Sequence, residues 1–172
     1  DIIDGTQSTI ITIAVIDAIS DNAFDSVSNQ TVSVTTTDDD VAGFTIAESG
    51  GSTSVDESGT TDSFTIVLDT QPSSDVVLSI SSADTGEATV TSLLTFTSAN
   101  WDTAQTVTVT GVDDDIIDGT QTTTVSVTVV DSISDDNFDS VSDQAISVAT
   151  TDDDVAGFTI AETGGSTSVA ES

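Results

Sequence analysis

The chain has no positively charged side chain at any of its 172 positions. It contains 31 Asp and Glu residues and no Lys, Arg or His, so its formal net charge is −31. No carboxylate can form a salt bridge to a side chain, and each must be hydrated, hydrogen-bonded or neutralised by a dissolved cation. The same charge excludes nucleic acid and anionic membrane surfaces as favourable partners, because the electrostatic contribution to binding would be repulsive.

Other features of the composition favour a folded protein. A high net charge with few aromatic residues is typical of disorder, yet 35% of the residues are hydrophobic, and most of them stand at strand spacing. We therefore expect a folded, cation-stabilised chain.

Cys is absent, which excludes disulfides and thiolate metal sites. Apolar runs stay well short of the roughly 20 residues that cross a bilayer, so we expect no membrane insertion.

An internal repeat organises the chain. Residues 1–58 and 115–172 align without a gap, which gives a period of 114, and 42 of the 58 aligned positions are identical. Repeats of this length indicate an array of domains rather than a solenoid. We expect residues 1–40 to be the C-terminal part of a repeat, 41–154 one complete repeat and 155–172 the N-terminal part of the next, within a longer tandem polymer.

Alternation of apolar and polar residues with period two dominates the sequence. It predicts a first strand split by Gly50 and Gly51, followed by strands rich in β-branched residues and separated by Gly, Ser, Asp and Asn. The predicted strands are 43–47, 52–56, 63–68, 75–81, 92–97, 105–112, 121–130 and 144–151. About seven strands per repeat indicate an all-β fold, an antiparallel β-sandwich.

Trp101 is the single Trp of the chain. We expect this large apolar side chain to close an edge of the sandwich beside a turn. A role in stacking against a sugar is the alternative.

Acidic groups stand at the ends of predicted strands. Glu57 ends an early strand, residues 113–118 (DDDIID) form a turn, and residues 152–154 (DDD) close the last strand. Two unit charges about 4 Å apart repel by roughly 4 kcal/mol at an effective dielectric near 20, which is large against a total stability of about 5–15 kcal/mol. All donors are oxygens, which favours Ca²⁺ or Mg²⁺, and Ca²⁺ tolerates irregular geometry better. A solvated acidic surface is the alternative, but it explains the triple runs poorly.

A second acidic stretch has a different spacing. Asp131, Asp135 and Asp139 lie four residues apart, and the pattern recurs as Asp17, Asp21 and Asp25. An EF-hand loop requires acidic residues two apart. We expect a turn with local side-chain-to-backbone hydrogen bonds; a further calcium site is the alternative.

Residues 94–129 (LTFTSANWDTAQTVTVTGVDDDIIDGTQTTTVSVTV), with the closing TDDD at 151–154, resemble the Calx-beta domain. This family occurs in sodium–calcium exchangers and, as tandem copies, in large bacterial surface proteins, and the resemblance covers essentially all of residues 41–154. It implies a seven-stranded immunoglobulin-like sandwich that binds several Ca²⁺ ions at one tip, beside the next domain.

The resemblance also implies a set of ligands. In the complete repeat they are Glu57, Asp113, Asp114, the backbone carbonyl of Ile116, Asp118, Asp152, Asp153 and Asp154. In the partial copies the matching residues are Asp1, Ile2, Asp4, Asp38, Asp39, Asp40 and Glu171. Asp118 stands where the family commonly has Glu. The family's mid-domain Asp has no clear match, and Glu87 or Asp84 could substitute for it.

These observations predict a structural protein. The Asp152–Asp154 run leads into the next repeat without a linker, so calcium there would hold adjacent repeats at a fixed angle. Extracellular calcium modules bind at about 10⁻⁴–10⁻³ M, and we expect a stiff extracellular or cell-surface stalk or filament whose partners are identical repeats. An adhesin module that binds surface glycans is the alternative. The usual nucleophile–base pairs cannot be built without His, Lys, Cys or Tyr, so we expect no enzyme.

Overall fold

The computed structural model describes residues 2–171, so the predicted ligand Asp1 lies outside the described residues. Eleven β-strands and five short 3-10 turns make up the regular structure of this range, with no α-helix in it. The strands are β1 Gln7–Ile13, β2 Gln30–Thr36, β3 Phe44–Glu48, β4 Thr53–Asp56, β5 Thr61–Leu68, β6 Val76–Ser82, β7 Ala88–Val90, β8 Leu93–Phe96, β9 Gln105–Gly111, β10 Gln121–Val129 and β11 Gln144–Thr151. Between residues 2 and 171, no helix is long and apolar enough to span a membrane.

Strands β3 to β11 form a two-layer sandwich, which confirms the predicted all-β fold. One sheet has the order β4-β11-β10-β6-β8 and the other has the order β3-β5-β9-β7. The pairs are antiparallel except for β4 and β11, which run parallel with Thr151 opposite Asp56. Strand β7, only three residues long, is an element that the alternation pattern did not predict.

The parallel pair follows from the split first strand. Strand β3 pairs with β5 in one sheet, and β4 pairs with β11 in the other. Between them Gly50 and Gly51 adopt positive φ angles of 67° and 85°, which glycine tolerates without steric cost. This bend transfers the chain from one sheet to the other, and it places the end of β4 beside the end of β11.

Alternate residues of both sheets point into a shared apolar core. Val107 and Val109 of β9 and Val125 and Val127 of β10 are fully buried, whereas the Thr and Ser residues that alternate with them are exposed or partly exposed. Trp101 is partly buried and packs against this core, as predicted for a residue that closes the sandwich edge.

The first partial copy forms an antiparallel β1–β2 hairpin whose apolar side chains are uncovered. Ile11 and Ile13 are 50% and 60% exposed, although the residues at the same repeat positions, Val125 and Val127, are fully buried in the complete sandwich. The hairpin lacks the second sheet that covers β10 and β11. Residues 158–162 repeat the FTIAE sequence of β3 but form no strand, because they have no counterpart of β5 to pair with.

Candidate metal site

Three chain segments meet at one tip of the sandwich. The parallel pairing brings the end of β4 beside the end of β11, and the backbone amide of Glu57 donates a hydrogen bond to the carbonyl of Thr151 at 3.0 Å. The β9–β10 turn, residues 112–120, reaches the same tip because Gln121 pairs with Thr150 of β11. The topology therefore gathers the acidic strand ends, as the sequence predicted.

Glu57, Asp114 and Asp154 form a cluster at this tip, one residue from each segment. Each offers a carboxylate oxygen within 4.8 Å of the others. Glu57 is 1% exposed, and the other two side chains are partly buried. Two oxygens on opposite sides of a Ca²⁺ ion lie about 5 Å apart, so these separations are compatible with a shared ion.

Two oxygens of the cluster are buried and unpaired. Within the described chain, Glu57 Oε2 and Asp154 Oδ2 have no hydrogen-bond partner. Burial of a carboxylate without a partner or opposite charge is strongly unfavourable. Since no side chain of this protein is cationic, compensation for these buried carboxylates comes from solution, as a proton or as a metal ion. A hard divalent cation with all-oxygen ligands fits this donor set.

Burial and like charge raise the pKa values of the cluster. Burial raises the pKa of Glu57, and the nearby carboxylates of Asp152, Asp114, Asp118 and Glu87 raise it further. The pKa of Asp154 is raised by burial first and then by its acidic neighbours. These carboxylates thus repel one another and hold protons more tightly than exposed carboxylates do.

Asp152 differs from Glu57 and Asp154 because both of its oxygens accept hydrogen bonds from the backbone. We call this arrangement, in which one carboxylate joins the turn to the 152–154 segment, a bracket. Its Oδ2 accepts hydrogen bonds from the backbone amides of Gly119 at 2.7 Å and Asp118 at 3.0 Å, and its Oδ1 accepts one from Asp154 at 2.7 Å. The hydrogen bonds from Gly119 and Asp154 lower the pKa of Asp152 the most. An ionised Asp152 therefore ties the β9–β10 turn to the 152–154 segment.

The same bracket forms in the first copy of the repeat. Asp38 Oδ2 accepts a hydrogen bond from Gly5 at 2.7 Å, and its Oδ1 accepts one from Asp40 at 3.0 Å. Asp38 and Gly5 occupy the repeat positions of Asp152 and Gly119. Because the bracket forms in a hairpin without its second sheet, it depends on the pairing of the two strands and not on the packing of two sheets.

Glu87 is a further acidic residue at this tip. Its Oε2 is buried without a hydrogen-bond partner in the part of the chain that is described. Its pKa is raised by burial and then by Asp118, Asp84 and Asp114. The sequence left Glu87 and Asp84 as alternatives. The two residues differ in their surroundings, because Asp84 is exposed and its Oδ1 accepts a hydrogen bond from the amide of Gly86.

The other predicted ligands lie around this cluster or in the partial copies. Asp113, Asp118 and Asp153 are exposed, and Asp118 is close enough to raise the pKa of Glu57. The Ile116 amide donates a hydrogen bond to Asp114 Oδ1 at 2.6 Å, which orders the turn. In the partial copies Ile2, Asp4, Asp39 and Glu171 are exposed, and Asp38 and Asp40 are partly buried.

Comparisons with known proteins find similar structures but no matching family profile or curated sequence. The apo-form Calx CBD1 domain aligns at 15% identity over 67% of this chain and 100% of its own, with a TM-score of 0.47. Domains 4 and 5 of the S-layer protein SbsC align at 18% identity over 84% of this chain and 58% of theirs, with a TM-score of 0.45.

The E. coli chaperone DraB aligns at 9% identity over 67% of this chain and 59% of its own, with a TM-score of 0.47. The chain therefore spans less than two thirds of the DraB and SbsC chains that it aligns with. These structural similarities give no information about the metal site. Its chemistry is inferred from the carboxylates of this chain.

Proposed function

We propose that this chain is a calcium-binding structural repeat of an extracellular stalk or filament, in which Ca²⁺ at the tip of each repeat stiffens the junction to the next. One observation carries the proposal: Glu57 Oε2 and Asp154 Oδ2 are buried without a partner across residues 2–171, in a protein that has no cationic side chain.

The residues of the site have three roles. Glu57, Asp114 and Asp154 bind the ion, and Glu87 and Asp118 add negative charge beside it. Asp152 positions these ligands, because the three hydrogen bonds that its carboxylate accepts join the β9–β10 turn to the 152–154 segment. The bound ion supplies the positive charge that turns their mutual repulsion into attraction.

The position of Asp154 links the site to the next repeat. Asp154 is followed directly by Val155 and the FTIAE sequence that forms β3 in the complete repeat. An ion held by Asp154 would therefore restrain the first residues of the following repeat. Affinities of about 10⁻⁴–10⁻³ M are typical of extracellular calcium modules, which suits a surface location.

The uncovered apolar residues of the partial copies support an array of identical repeats. Ile11 and Ile13 in the first copy, and Phe158 and Ile160 in the last, are between 50% and 89% exposed. In an array each would lie inside a complete sandwich. No observation favours the glycan-binding alternative, since Trp101 is partly buried and packs against the core.

Thermal unfolding and small-angle scattering of the full chain, with calcium and with EDTA, test the proposal. A ligand at a hundredfold excess over its Kd stabilises by about 2.7 kcal/mol, so calcium is expected to raise the Tm, and EDTA to lower the Tm and increase flexibility. Identical Tm and scattering curves in the two conditions would show that the site holds no calcium.

A further inference from the structure

The start of the chain contacts the complete repeat directly. Ile2 forms an isolated parallel β-bridge with Gln71. The neighbouring Ile3 is partly buried and packs against the core of the sandwich. Ile2 and Ile3 belong to the acidic turn of the first copy, so this is a contact between the tip of one repeat and the body of the following one.

The surface that receives this turn is preformed. Gln71 is fixed by its side-chain amide, which donates a hydrogen bond to the carbonyl of Ser98 at 2.7 Å. Asp135 Oδ2 accepts hydrogen bonds from the amides of Ser73 at 2.6 Å and Ser74 at 2.9 Å, which joins the 71–74 loop to the 135–138 turn. We call the surface formed by Gln71–Ser74 and Asp135–Asn137 the receiving face.

The amide of Asn137 adds a weaker contact to this junction. Its Nδ2 donates a hydrogen bond to the carbonyl of Ile3 at 3.4 Å. The matching residue of the first copy is Ala23, which cannot make this bond. The apolar packing of Ile3 and the pairing of Ile2 with Gln71 therefore carry the contact.

The same turn recurs at the far tip of the complete repeat with its apolar pair uncovered. Residues 115–120 repeat the DIIDGT sequence of residues 1–6. Ile116 and Ile117, the counterparts of Ile2 and Ile3, are 61% and 56% exposed. Two adjacent large apolar side chains stand exposed in a turn that is otherwise acidic, at the positions that make the contact in the first copy.

We infer that Ile116 and Ile117 form a docking surface whose partner is the receiving face of a second copy of this repeat. Each acidic turn then has two functions: its carboxylates face the metal site, and its isoleucine pair contacts the following repeat. In the first copy Ile3 makes this contact by packing on the core, and Ile2, whose side chain is 46% exposed, makes it by pairing with Gln71. The angle between successive repeats is set by this direct contact as well as by the ion. The inference rests on the proposed array of repeats but does not depend on calcium.

Distance measurements between spin labels test the inference, because a chain without Cys allows labels at chosen sites. Labels at Ser33→Cys and Thr95→Cys, both exposed, report the spacing of the first hairpin from the complete repeat. Ile3→Thr is expected to eliminate the narrow distance peak, and Ile3→Val, which removes one methyl group, to widen it less. Ile117→Thr is the matched control, with the same substitution in an identical turn, and is expected to leave this distance unchanged.

A longer chain, with residues 1–154 followed by a second copy of residues 41–172, tests the docking surface itself. In that chain Ile117→Thr is expected to widen the distance between the two complete repeats, measured from labels at Thr95→Cys and its counterpart in the added copy. A narrow peak for Ile3→Thr in the original chain, or for Ile117→Thr in the longer one, would overturn the inference.

Each measurement is made with calcium and with EDTA. Loss of the peak in Ile3→Thr under both conditions supports direct docking. If EDTA leaves the wild-type peak, the Tm and the flexibility unchanged, the calcium proposal fails while the docking inference stands. If Ile3→Thr keeps the peak while EDTA widens it in the wild type, the calcium proposal stands and the docking inference fails.

Discussion

The carboxylate of Asp152 accepts a hydrogen bond from the backbone amide of Gly119 at 2.7 Å, and this contact joins two of the three segments that form the candidate metal site. Gly119 has a φ angle of 73°, a conformation that glycine adopts readily. The same hydrogen bond between Gly5 and Asp38 in the first copy indicates that the hairpin itself organises this turn. Backbone donors thus hold two segments of the candidate site together, while Glu57 Oε2 and Asp154 Oδ2 have no hydrogen-bond partner among residues 2–171.

Asp152→Ala is expected to weaken calcium binding without removing a residue of the three-carboxylate cluster. The substitution frees the amides of Asp118, Gly119 and Asp154, so the turn and the 152–154 segment separate more easily. Loss of a residue that orients metal ligands typically costs 10–100-fold in affinity. Isothermal titration calorimetry measures the change, and Asp38→Ala, which breaks the same bracket in the first copy, should leave the affinity of the Glu57 cluster unchanged.

Glu57→Gln is expected to abolish most of the rise in Tm that calcium produces. The substitution removes the most buried carboxylate of the cluster, and an amide oxygen is a weaker ligand for a hard cation. Thermal unfolding with and without calcium measures the effect. Glu171→Gln is the matched control, since Glu171 has the same repeat position but is exposed; an equal loss in both variants would contradict the assignment of the site to Glu57.

Much of this architecture could be predicted from the sequence, because it depends on local patterns. Period-two alternation located the strands and the Gly50-Gly51 split, and the acidic strand ends identified the tip. The parallel pairing of β4 with β11 could not be predicted, because the Gly50-Gly51 pattern marks the break in the first strand but not the strand with which its second half pairs. The sequence also left open whether Glu87 or Asp84 matches the family's mid-domain Asp. The burial of an acidic residue depends on the strands that pack around it, and the local sequence does not specify those strands.

Without metal, the stability of the protein is expected to fall as pH rises from about 4. The folded pKa values of Glu57, Glu87 and Asp154 are raised, first by burial and then by acidic neighbours. A group with a raised folded pKa contributes its stability below its unfolded pKa, about 4.3 for Glu, and loses it as pH rises through the folded pKa. Chemical denaturation in EDTA across this range measures the slope.

Calcium is expected to flatten this slope, because a bound cation favours the ionised carboxylates. Glu57→Gln should flatten it partly even in EDTA, since one titrating group is gone. Exposed carboxylates elsewhere repel one another equally in both proteins, so the difference between wild type and variant isolates the site. A slope that is the same in wild type and variant would show that Glu57 does not titrate abnormally.

Asp135→Ala is expected to destabilise the protein by roughly 1.5–3 kcal/mol, the range for hydrogen bonds to charged groups. Asp135 is 3% exposed. Its burial alone would raise its pKa, but hydrogen bonds from Ser73, Ser74 and Asn137 outweigh burial and lower it. Its stabilising effect is therefore present above its unfolded pKa and is lost as pH falls through the folded pKa.

Urea unfolding at neutral pH measures the destabilisation that Asp135→Ala causes, and Asp21→Ala is the matched control. Asp21 has the repeat position of Asp135 but is exposed and accepts a hydrogen bond from the amide of Ala23 at 2.8 Å, without a counterpart of the Ser73 loop to hold. The free energy of unfolding of the Asp21→Ala variant should stay within about 0.5 kcal/mol of the wild-type value, as it usually does for surface substitutions. Equal effects of the two substitutions would mean that Asp135 orders only its own turn. A larger effect of Asp135→Ala, with no change in calcium affinity, would place its role in the body of the repeat, away from the metal site.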